Sequence, residues 1–265
     1  DNHVIDETKK TCVDLRPFLN SPLESDSLQK VRQLLGAVPP QGLESFWFDQ
    51  GLLLKCIRAS AYDSARAHEV FKNYATWLKA TGALTLTAEG LKQPLEDGIF
   101  RAPPGSLDKE GRQVFYLRIA KLDMKKYAAD EVARLMHYML MIQLERPEVQ
   151  AQGLTFLDDQ KGIGMRHFDL KFAKTVVKAV LNTFPIRFAN LLLVNSTFVF
   201  KMAFPLLSHL IKPKIRSRFR VVSTHKKILD YISPENLLVE YGGTLKYDHA
   251  KWVSQRIALE ASIQK

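Results

Sequence analysis

The chain has 265 residues, of which 46% are hydrophobic and 25% are charged, a composition that excludes a disordered chain and is typical of a folded globular protein. Its formal net charge of +10 indicates anionic partners, namely nucleic acid, an acidic protein or an anionic lipid surface. Cys12 and Cys56 are its two cysteines and match no zinc-site or disulfide-framework spacing, so we expect no metal site and a reducing compartment.

The first 90 residues show the spacing of amphipathic helices. Apolar residues recur at helical intervals within residues 21–40, and the pattern stops at Gly36. A second helix is predicted to begin after Asp63, a favourable N-cap, and to end at Gly82. We therefore predict a helical N-terminal domain over residues 1–90.

From about residue 112 short apolar runs alternate with longer helical segments. The predicted strands cover residues 113–119, 154–157, 190–194 and 219–222, and the predicted helices between them cover residues 129–144, 171–182 and 198–211. Strands that alternate with helices predict βαβ units, and hence an α/β fold with a mostly parallel sheet. We place this domain at residues 91–245 and predict a C-terminal helical tail over residues 246–265.

Motifs that would indicate an enzyme are weak. Gly162 and Gly164 follow the second predicted strand and suggest a dinucleotide loop, but His167 replaces the third glycine of that fingerprint. No phosphate-binding loop, nucleophile elbow or zinc-protease motif occurs in the sequence. We therefore expect no enzyme, no catalytic residue and no cofactor, and an enzyme that uses the glycine loop remains a distant alternative.

The segment Ser196–Arg220, STFVFKMAFPLLSHLIKPKIRSRFR, joins an apolar run to a row of cations. The apolar run is too short, and too interrupted by polar residues, to cross a membrane. On a helical wheel its apolar residues cover roughly twice the ~100° width of an ordinary surface helix. One apolar side can pack on the sheet; the other needs more protein, a bound lipid or a bilayer. Pro205 predicts a kink, which is typical of a movable lid.

Cations occupy every second position from Lys212 to Arg220. In an extended strand all five would point in one direction, where they would attract an anionic membrane surface or phosphate groups. A plain solvated face is the alternative. Nucleic acid remains open as a partner, but no stacking-aromatic or recognition-helix motif accompanies the cations.

Five segments, in this order, resemble the CRAL-TRIO lipid-binding family and, within it, the tocopherol-transfer and retinaldehyde-binding branch. They are LLLKCIRASAYDSARAHEVFKNYATWLK, GRQVFYLRIAKLD, LTFLDDQKG, NTFPIRFANLLLVNSTFVF and LLVEYGG, between residues 52 and 243. The resemblance implies a small helical N-terminal unit packed on an α/β domain, whose sheet floors an apolar cavity. A mobile helix, here called the lid segment (residues 198–211), would cover that cavity.

The resemblance also implies individual site residues. The cavity lining that it indicates is Ala133, Met136, His137, Leu140, Leu154, Phe156, Asp158, Val176, Ala179, Val180, Phe184, Phe188 and Leu191. The lid residues are Phe198, Val199, Met202, Ala203, Leu206, Leu207 and Leu210, and the anionic-lipid-binding residues are Arg58, Arg187, Lys214, Arg216 and Arg218. Ala189 replaces one basic position of that patch. A buried carboxylate needs a partner, so we expect Asp158 to pair with an Arg or His of the protein rather than with a polar ligand end.

The resemblance implies a non-enzymatic carrier of one small isoprenoid-like lipid, such as a tocopherol, retinoid or carotenoid. Its partners would be that lipid and an anionic membrane surface, with phosphoinositides as candidates, and we expect a monomer without nucleic acid. The N-terminal sequence DNHVIDETKKT carries no secretion signal, so we expect a cytoplasmic protein that visits membrane surfaces. The alternatives are a phospholipid or phosphoinositide exchange protein, and a regulatory adaptor whose basic face recruits a protein partner.

Overall fold

A computed structural model describes residues 12–263. The N-terminal stretch for which we expected no secretion signal, residues 1–11, lies outside the described residues, as do residues 264–265 of the predicted C-terminal tail. Within the described residues, no helix combines the length and the hydropathy that a membrane crossing requires.

The N-terminal region contains three main helices, α1 (Pro22–Leu35), α2 (Gln50–Ala59) and α3 (Ser64–Thr81). The caps of α3 are the predicted ones: the Asp63 carboxylate accepts a hydrogen bond from the Arg66 backbone N–H at 3.0 Å, and Gly82 ends the helix with a φ of 64°. Gly36 ends α1, as predicted, also with a positive φ of 72°.

The second region is built on a five-stranded sheet with the order β1-β2-β3-β4-β5. The strands are β1 (Phe100–Arg101), β2 (Val114–Leu117), β3 (Leu154–Asp159), β4 (Phe188–Val194) and β5 (Phe219–Val222). The short edge strand β1 is antiparallel to β2, and the other neighbours are parallel. The predicted α/β class with a mostly parallel sheet is therefore confirmed.

Further helices precede the sheet in the chain, connect its strands, and continue after its last strand. They are α4 (Lys92–Glu96), α5 (Ala129–Gln143), α6 (Pro147–Gln152), α7 (Leu170–Asn182), α8 (Phe198–Ser208), α9 (Pro213–Arg216), α10 (His225–Ile228) and α11 (His249–Ile263). Because strands 2 to 5 are adjacent in chain order and crossovers are right-handed, the connecting helices lie on one face of the sheet.

The sheet separates two hydrophobic cores. One core joins the helical face, including Phe115 and Phe156, to the connecting helices and to α1–α3. The other core packs residues such as Tyr116 and Leu157 against the segment from Ile228 to Tyr241. We call these two surfaces of the sheet the helical face and the C-terminal face.

A buried polar cluster attaches the N-terminal helices to the second region. The Arg58 guanidinium donates to both carboxylate oxygens of Glu24, at 2.7 and 2.8 Å, and to Oε1 of Gln150 on α6 at 2.6 Å. Burial opposes ionisation of Glu24, but the Arg58 contacts outweigh it and hold the pKa of Glu24 below its ordinary value. Glu24 therefore stays charged and paired with Arg58, and the Arg58 contact to Gln150 fixes one orientation of α2 on α6. The division at residues 90 and 245 stays a prediction.

Residues 212–220 do not form one extended strand. Residues Pro213–Arg216 form the short helix α9, and only Phe219–Val222 is extended. The five cations therefore do not point in one direction: Arg218 is buried, whereas Arg216 is exposed on α9. Pro213 favours this helical turn, because its fixed φ suits the first position of a helix.

Candidate functional site

A cavity of about 270 Å³ lies between the helical face of the sheet and the helices α7 and α8. Protein interiors are normally packed so closely that few voids exceed a water molecule, so a space of this size is a built feature. Strands β2, β3 and β4 form its floor, α7 and residues 163–168 form one wall, and α8 covers it.

Alternate residues of the central strands form the floor. On β3 these are Phe156 and Asp158, and on β4 they are Phe188, Leu191 and Leu193. The rings of Phe156 and Phe188 stack with their centroids 4.5 Å apart. The alternation follows from strand geometry, because successive side chains point to opposite faces of a sheet. Between Phe188 and Leu191 it shifts by one residue, at the irregularity in the register of β4 against β3.

One face of α7 forms the wall. Its apolar residues recur in adjacent pairs four positions apart, which keeps them on one side of a helix. They are Phe172, Ala173, Val176, Val177, Val180 and Leu181. Lys171, Lys174 and Lys178 lie on the opposite, exposed side.

Helix α8 has two apolar faces. Val199, Ala203 and Leu207 face the cavity. Phe198, Met202 and Leu206 lie on the outer side, and their side chains are 72%, 38% and 49% exposed. The alternative that more protein covers the second apolar side of this helix is therefore excluded for the described residues, because that side is exposed.

Helix α8 is held in place by apolar contacts. Within residues 12–263, the side-chain hydrogen bonds of residues 198–208 are local: Thr197 Oγ1 accepts from the Phe200 N–H, and the Ser208 hydroxyl donates to the Pro205 carbonyl. No ion pair of the described residues ties this helix to the sheet or to α7. Its displacement would leave no broken hydrogen bond behind in the cavity wall.

Asp158 stands apart among these apolar side chains. Its Oδ1 is buried and has no hydrogen-bond partner in the described part of the chain. Burial raises the pKa of Asp158 to about 7, with the Gln160 amide opposing this rise and the neighbouring Asp159 carboxylate adding to it. The expectation that Asp158 pairs with an Arg or His of the protein is wrong, because within residues 12–263 no such partner reaches it.

A second cavity, of about 240 Å³, is polar and lies beside the first. We call it the basic cleft, because cations from four parts of the chain line it. They are Arg66, Arg187, Lys212, Lys214 and Arg218. Glu69 is the acidic residue among its lining residues.

Two of these arginines are fixed by backbone carbonyls. Arg187 donates to the Arg58 carbonyl at 3.1 Å and to the Val13 carbonyl at 2.7 Å. Arg218 donates to the Phe188 carbonyl, and burial lowers its pKa relative to an ordinary arginine. Lys212 and Lys214 are exposed at the rim. The cleft thus combines rigid cations inside with movable cations outside, which suits a multiply charged anion.

The cavity and the basic cleft share a wall. Val180, Leu181, Phe188 and Ile215 line both spaces. Arg218 also touches this wall through its hydrogen bond to the Phe188 carbonyl. An occupant of one space therefore contacts residues that shape the other.

Comparison with known proteins shows the family to which this chain belongs. The profile of the CRAL/TRIO domain matches residues 102–243, more than half of the chain. The chain belongs to the CRAL/TRIO domain family. The resemblance found in the sequence is confirmed, and this family consists of lipid-binding and lipid-transfer proteins.

Individual CRAL/TRIO relatives agree with this placement. A mouse (Mus musculus) protein named alpha-tocopherol transfer protein-like is 30% identical over 226 residues, which cover 82% of this chain and 65% of that relative. Clavesin-1 of Pongo abelii is 25% identical over 245 residues, covering 88% and 68% respectively. The crystal structure of Sfh5 shares the fold, with a TM-score of 0.56 at 16% identity, over 92% of this chain and 93% of that one. The chain spans about two thirds of the length of the curated relatives it matches.

The structure places the residues expected for the CRAL/TRIO cavity in two groups. Those on the cavity wall are Met136, Phe156, Asp158, Val176, Val180, Phe188 and Leu191. Those away from it are Ala133, His137, Leu140, Leu154, Ala179 and Phe184. His137, for example, shares a 2.7 Å hydrogen bond with the Tyr74 hydroxyl and packs against Trp77 and Phe184. Burial lowers the pKa of His137 to about 3, so it is neutral at physiological pH.

The expected lid and basic residues also divide. Val199, Ala203 and Leu207 line the cavity, whereas Phe198, Met202, Leu206 and Leu210 do not. Arg187, Lys214 and Arg218 meet in the basic cleft. Arg58 does not join them, because its guanidinium is buried against Glu24 and Gln150, and Arg216 lies on the outer side of α9.

Sequence reasoning missed part of the site. The loop before α7 contributes Ile163, His167 and Phe168, and the start of the sheet contributes Phe100, Leu117, Ile119 and Leu122. No periodic signal marks these loop and edge positions. Phe172, Ala173 and Val177 were also missed, although their spacing relative to Val176 and Val180 could have identified them.

Proposed function

We propose that this protein is a carrier that encloses one small hydrophobic lipid in the apolar cavity and delivers it to a membrane, without catalysing a reaction on it. The observation that carries this proposal is the 270 Å³ apolar cavity beneath a helix whose outer face is also apolar. Burial of apolar surface at ~25 cal/mol per Å² supplies affinity without a covalent step. Family membership supports the same conclusion.

We place the ligand among isoprenoid-like lipids such as tocopherols, retinoids or carotenoids. One relative is named for alpha-tocopherol transfer, and the cavity walls are branched and aromatic side chains without a cationic headgroup site. The carrier is proposed to act as a cytoplasmic monomer that visits membrane surfaces.

The lid segment is proposed to open by moving α8 away from the sheet. Its outer residues Phe198, Met202 and Leu206 would enter the bilayer surface. Lys201, Lys212 and Lys214 are exposed nearby along the chain, where each would add ~1 kcal/mol of attraction to an anionic surface. The basic cleft would then hold an anionic headgroup, with phosphoinositides as candidates.

The identity of the carried lipid is tested by extracting the purified protein into organic solvent and recording the mass spectrum. We expect one neutral lipid for each chain. Ala173 lies on the cavity wall, so Ala173→Trp should abolish lipid recovery, whereas Lys174→Trp on the exposed side should not. Equal lipid recovery from both variants would contradict a ligand in this cavity.

Membrane docking is tested by charge reversal at the rim of the basic cleft. Lys212→Glu with Lys214→Glu should slow delivery to anionic liposomes at least about tenfold, and delivery to neutral liposomes much less. Lys226→Glu with Lys227→Glu makes the same charge change on α10 and serves as the control. Equal slowing on both kinds of liposome would exclude the electrostatic step.

A phospholipid exchange function is the second candidate, favoured by the shared wall formed by Val180, Leu181, Phe188 and Ile215. A phospholipid could place acyl chains in the cavity and its phosphate in the basic cleft. Recovery of a phosphorus-containing lipid, at one for each chain, would replace the first proposal with this one.

A further inference from the structure

Asp158 places a carboxyl group in the floor of the apolar cavity. The residues paired with it on the neighbouring strands are Leu117 on β2 and Leu193 on β4, and both also line the cavity. Asp158 itself lines the cavity and retains some accessible surface. The Asp158 side chain therefore borders the space that a lipid would fill.

The neighbouring carboxylate, that of Asp159, differs from Asp158 because both of its oxygens have hydrogen-bond partners. Asp159 points to the opposite face, where its Oδ1 accepts from Asn195 at 2.8 Å and its Oδ2 accepts from the Tyr241 hydroxyl at 3.1 Å. In contrast, Oδ1 of Asp158 has no partner among the described residues. A buried polar atom without a hydrogen bond destabilises the folded protein by about 1–3 kcal/mol. A ligand that supplies the missing hydrogen bond removes that cost.

From this geometry we infer that Asp158 holds the hydroxyl end of the carried lipid, so that the substrate class is the neutral lipid alcohols. The inference rests on the proposed carrier function and specifies the ligand of the same cavity. In its ionised form the carboxylate accepts the hydrogen bond of the alcohol. The protonated form, which the raised pKa makes accessible near neutral pH, both donates to and accepts from the same hydroxyl.

Other lipid ends fit this position less well. A hydrocarbon or ether end donates no hydrogen bond and leaves Oδ1 unpaired. A fatty acid or phosphate places a second negative charge beside the first, which disfavours ionisation of both. An ammonium group would lose its hydration in a cavity whose lining is almost entirely apolar.

Three probes with the same chain test the inference: 1-hexadecanol, its methyl ether and palmitic acid. Their dissociation constants are measured at pH 8 by displacement of Nile red from the delipidated protein. We expect the wild type to bind the alcohol about tenfold more tightly than the ether, which is the size of one hydrogen bond to a charged group. In Asp158→Leu the alcohol and the ether should bind with about equal affinity.

A second variant keeps the test decisive if Asp158→Leu does not fold. Asp158→Asn removes the charge and keeps the shape, so the affinity for palmitic acid should rise at least about tenfold relative to the alcohol. Phe156→Leu, on the same strand and the same wall, is the control; it should change the three affinities by similar factors.

The outcomes separate the inference from the function on which it rests. If the wild type binds all three probes equally, or if Asp158→Leu keeps the preference for the alcohol, the role of Asp158 is overturned while the carrier function stands. If the wild type binds none of the three probes, the carrier function itself is contradicted, and the inference with it.

Discussion

The two faces of the central sheet differ in how completely they are packed. On the C-terminal face, Leu157 and Leu192 are fully buried and Asp159 has its hydrogen bonds satisfied. On the helical face, Phe156 and Leu193 border a cavity and Asp158 has an unpartnered oxygen. Both sets of residues come from the same strands, in alternation. The difference teaches that the C-terminal face contributes stability, whereas the cavity face is left incomplete for a ligand.

The largest expected effect comes from the polar cluster of the C-terminal face. Asp108 accepts from Arg112 Nε at 2.8 Å and from the Thr155 hydroxyl at 2.6 Å. Asp108→Ala leaves the buried Arg112 guanidinium without its main partner, so the free energy of unfolding should fall by about 3–5 kcal/mol. Urea denaturation measures this loss.

The control for that variant is the exposed pair of Asp14 and Arg16. Asp14→Ala should cost less than about 1 kcal/mol, because solvent screens the interaction. If the two aspartate variants lost equal stability, the buried cluster would not be a stabilising feature of the packed face.

A matched pair of leucines on β4 compares the two faces directly. Leu192→Ala on the packed face should lower the free energy of unfolding by about 3–4 kcal/mol, and Leu193→Ala by only about 2, since a cavity already adjoins Leu193. Denaturation of the delipidated proteins measures both values. A larger loss at Leu193 than at Leu192 would show that the helical face is as tightly packed as the other.

The free energy of unfolding should also depend on pH through His137 of α5. The folded protein holds the pKa of His137 at about 3, below the ordinary value of 6.5, because burial disfavours the charged ring. The resulting stability is therefore present above pH 6.5 and is lost as pH falls towards 3. His137→Gln should reduce the acid-induced fall in the free energy of unfolding between pH 7 and pH 4 by about 2 kcal/mol.

The matched control for this pH dependence is His209→Gln, at an exposed position after α8. It should leave the slope of stability against pH between pH 7 and pH 4 nearly unchanged. An identical slope in the wild type and in His137→Gln would mean that His137 does not couple folding to protonation.

Asp158 should respond to pH in the opposite sense to His137. Its folded pKa of about 7 lies above the ordinary 3.8, so the folded state is favoured below pH 4 and loses that advantage as pH rises through 7. Asp158→Asn should therefore stabilise the empty protein by about 3–4 kcal/mol at pH 8 and by less than about 1 kcal/mol at pH 4. Thermal melting at the two pH values measures the difference. Destabilisation at pH 8 would indicate a partner for Asp158 in the native protein.

Local sequence patterns predicted most of the fold. Residues 219–222 were predicted as a strand with the bounds that β5 has, and Asp63 and Gly82 cap α3 as expected. Strand β1 was missed because two residues at a sheet edge carry no periodic signal. Helix α9 was not predicted, because alternating cations around Pro213 fit an extended strand as well as a helical turn.

The candidate site was less predictable than the fold. On β3 the alternation of side chains correctly separates Phe156 from Leu157. Helix α5 is buried on most sides, so its sequence does not reveal that Met136 faces the cavity while His137 faces Tyr74. Which side of such a helix meets a void depends on the packing of distant segments, which no local pattern records.

The absence of polar ties on α8 within the described residues has a thermodynamic consequence. Swinging this helix outward breaks no hydrogen bond to the sheet, so the free energy of the movement is set by the medium that receives its apolar surface. In water that exposure is unfavourable and keeps the cavity shut. Against lipid tails the same exposure is nearly neutral, so the surroundings themselves serve as the trigger.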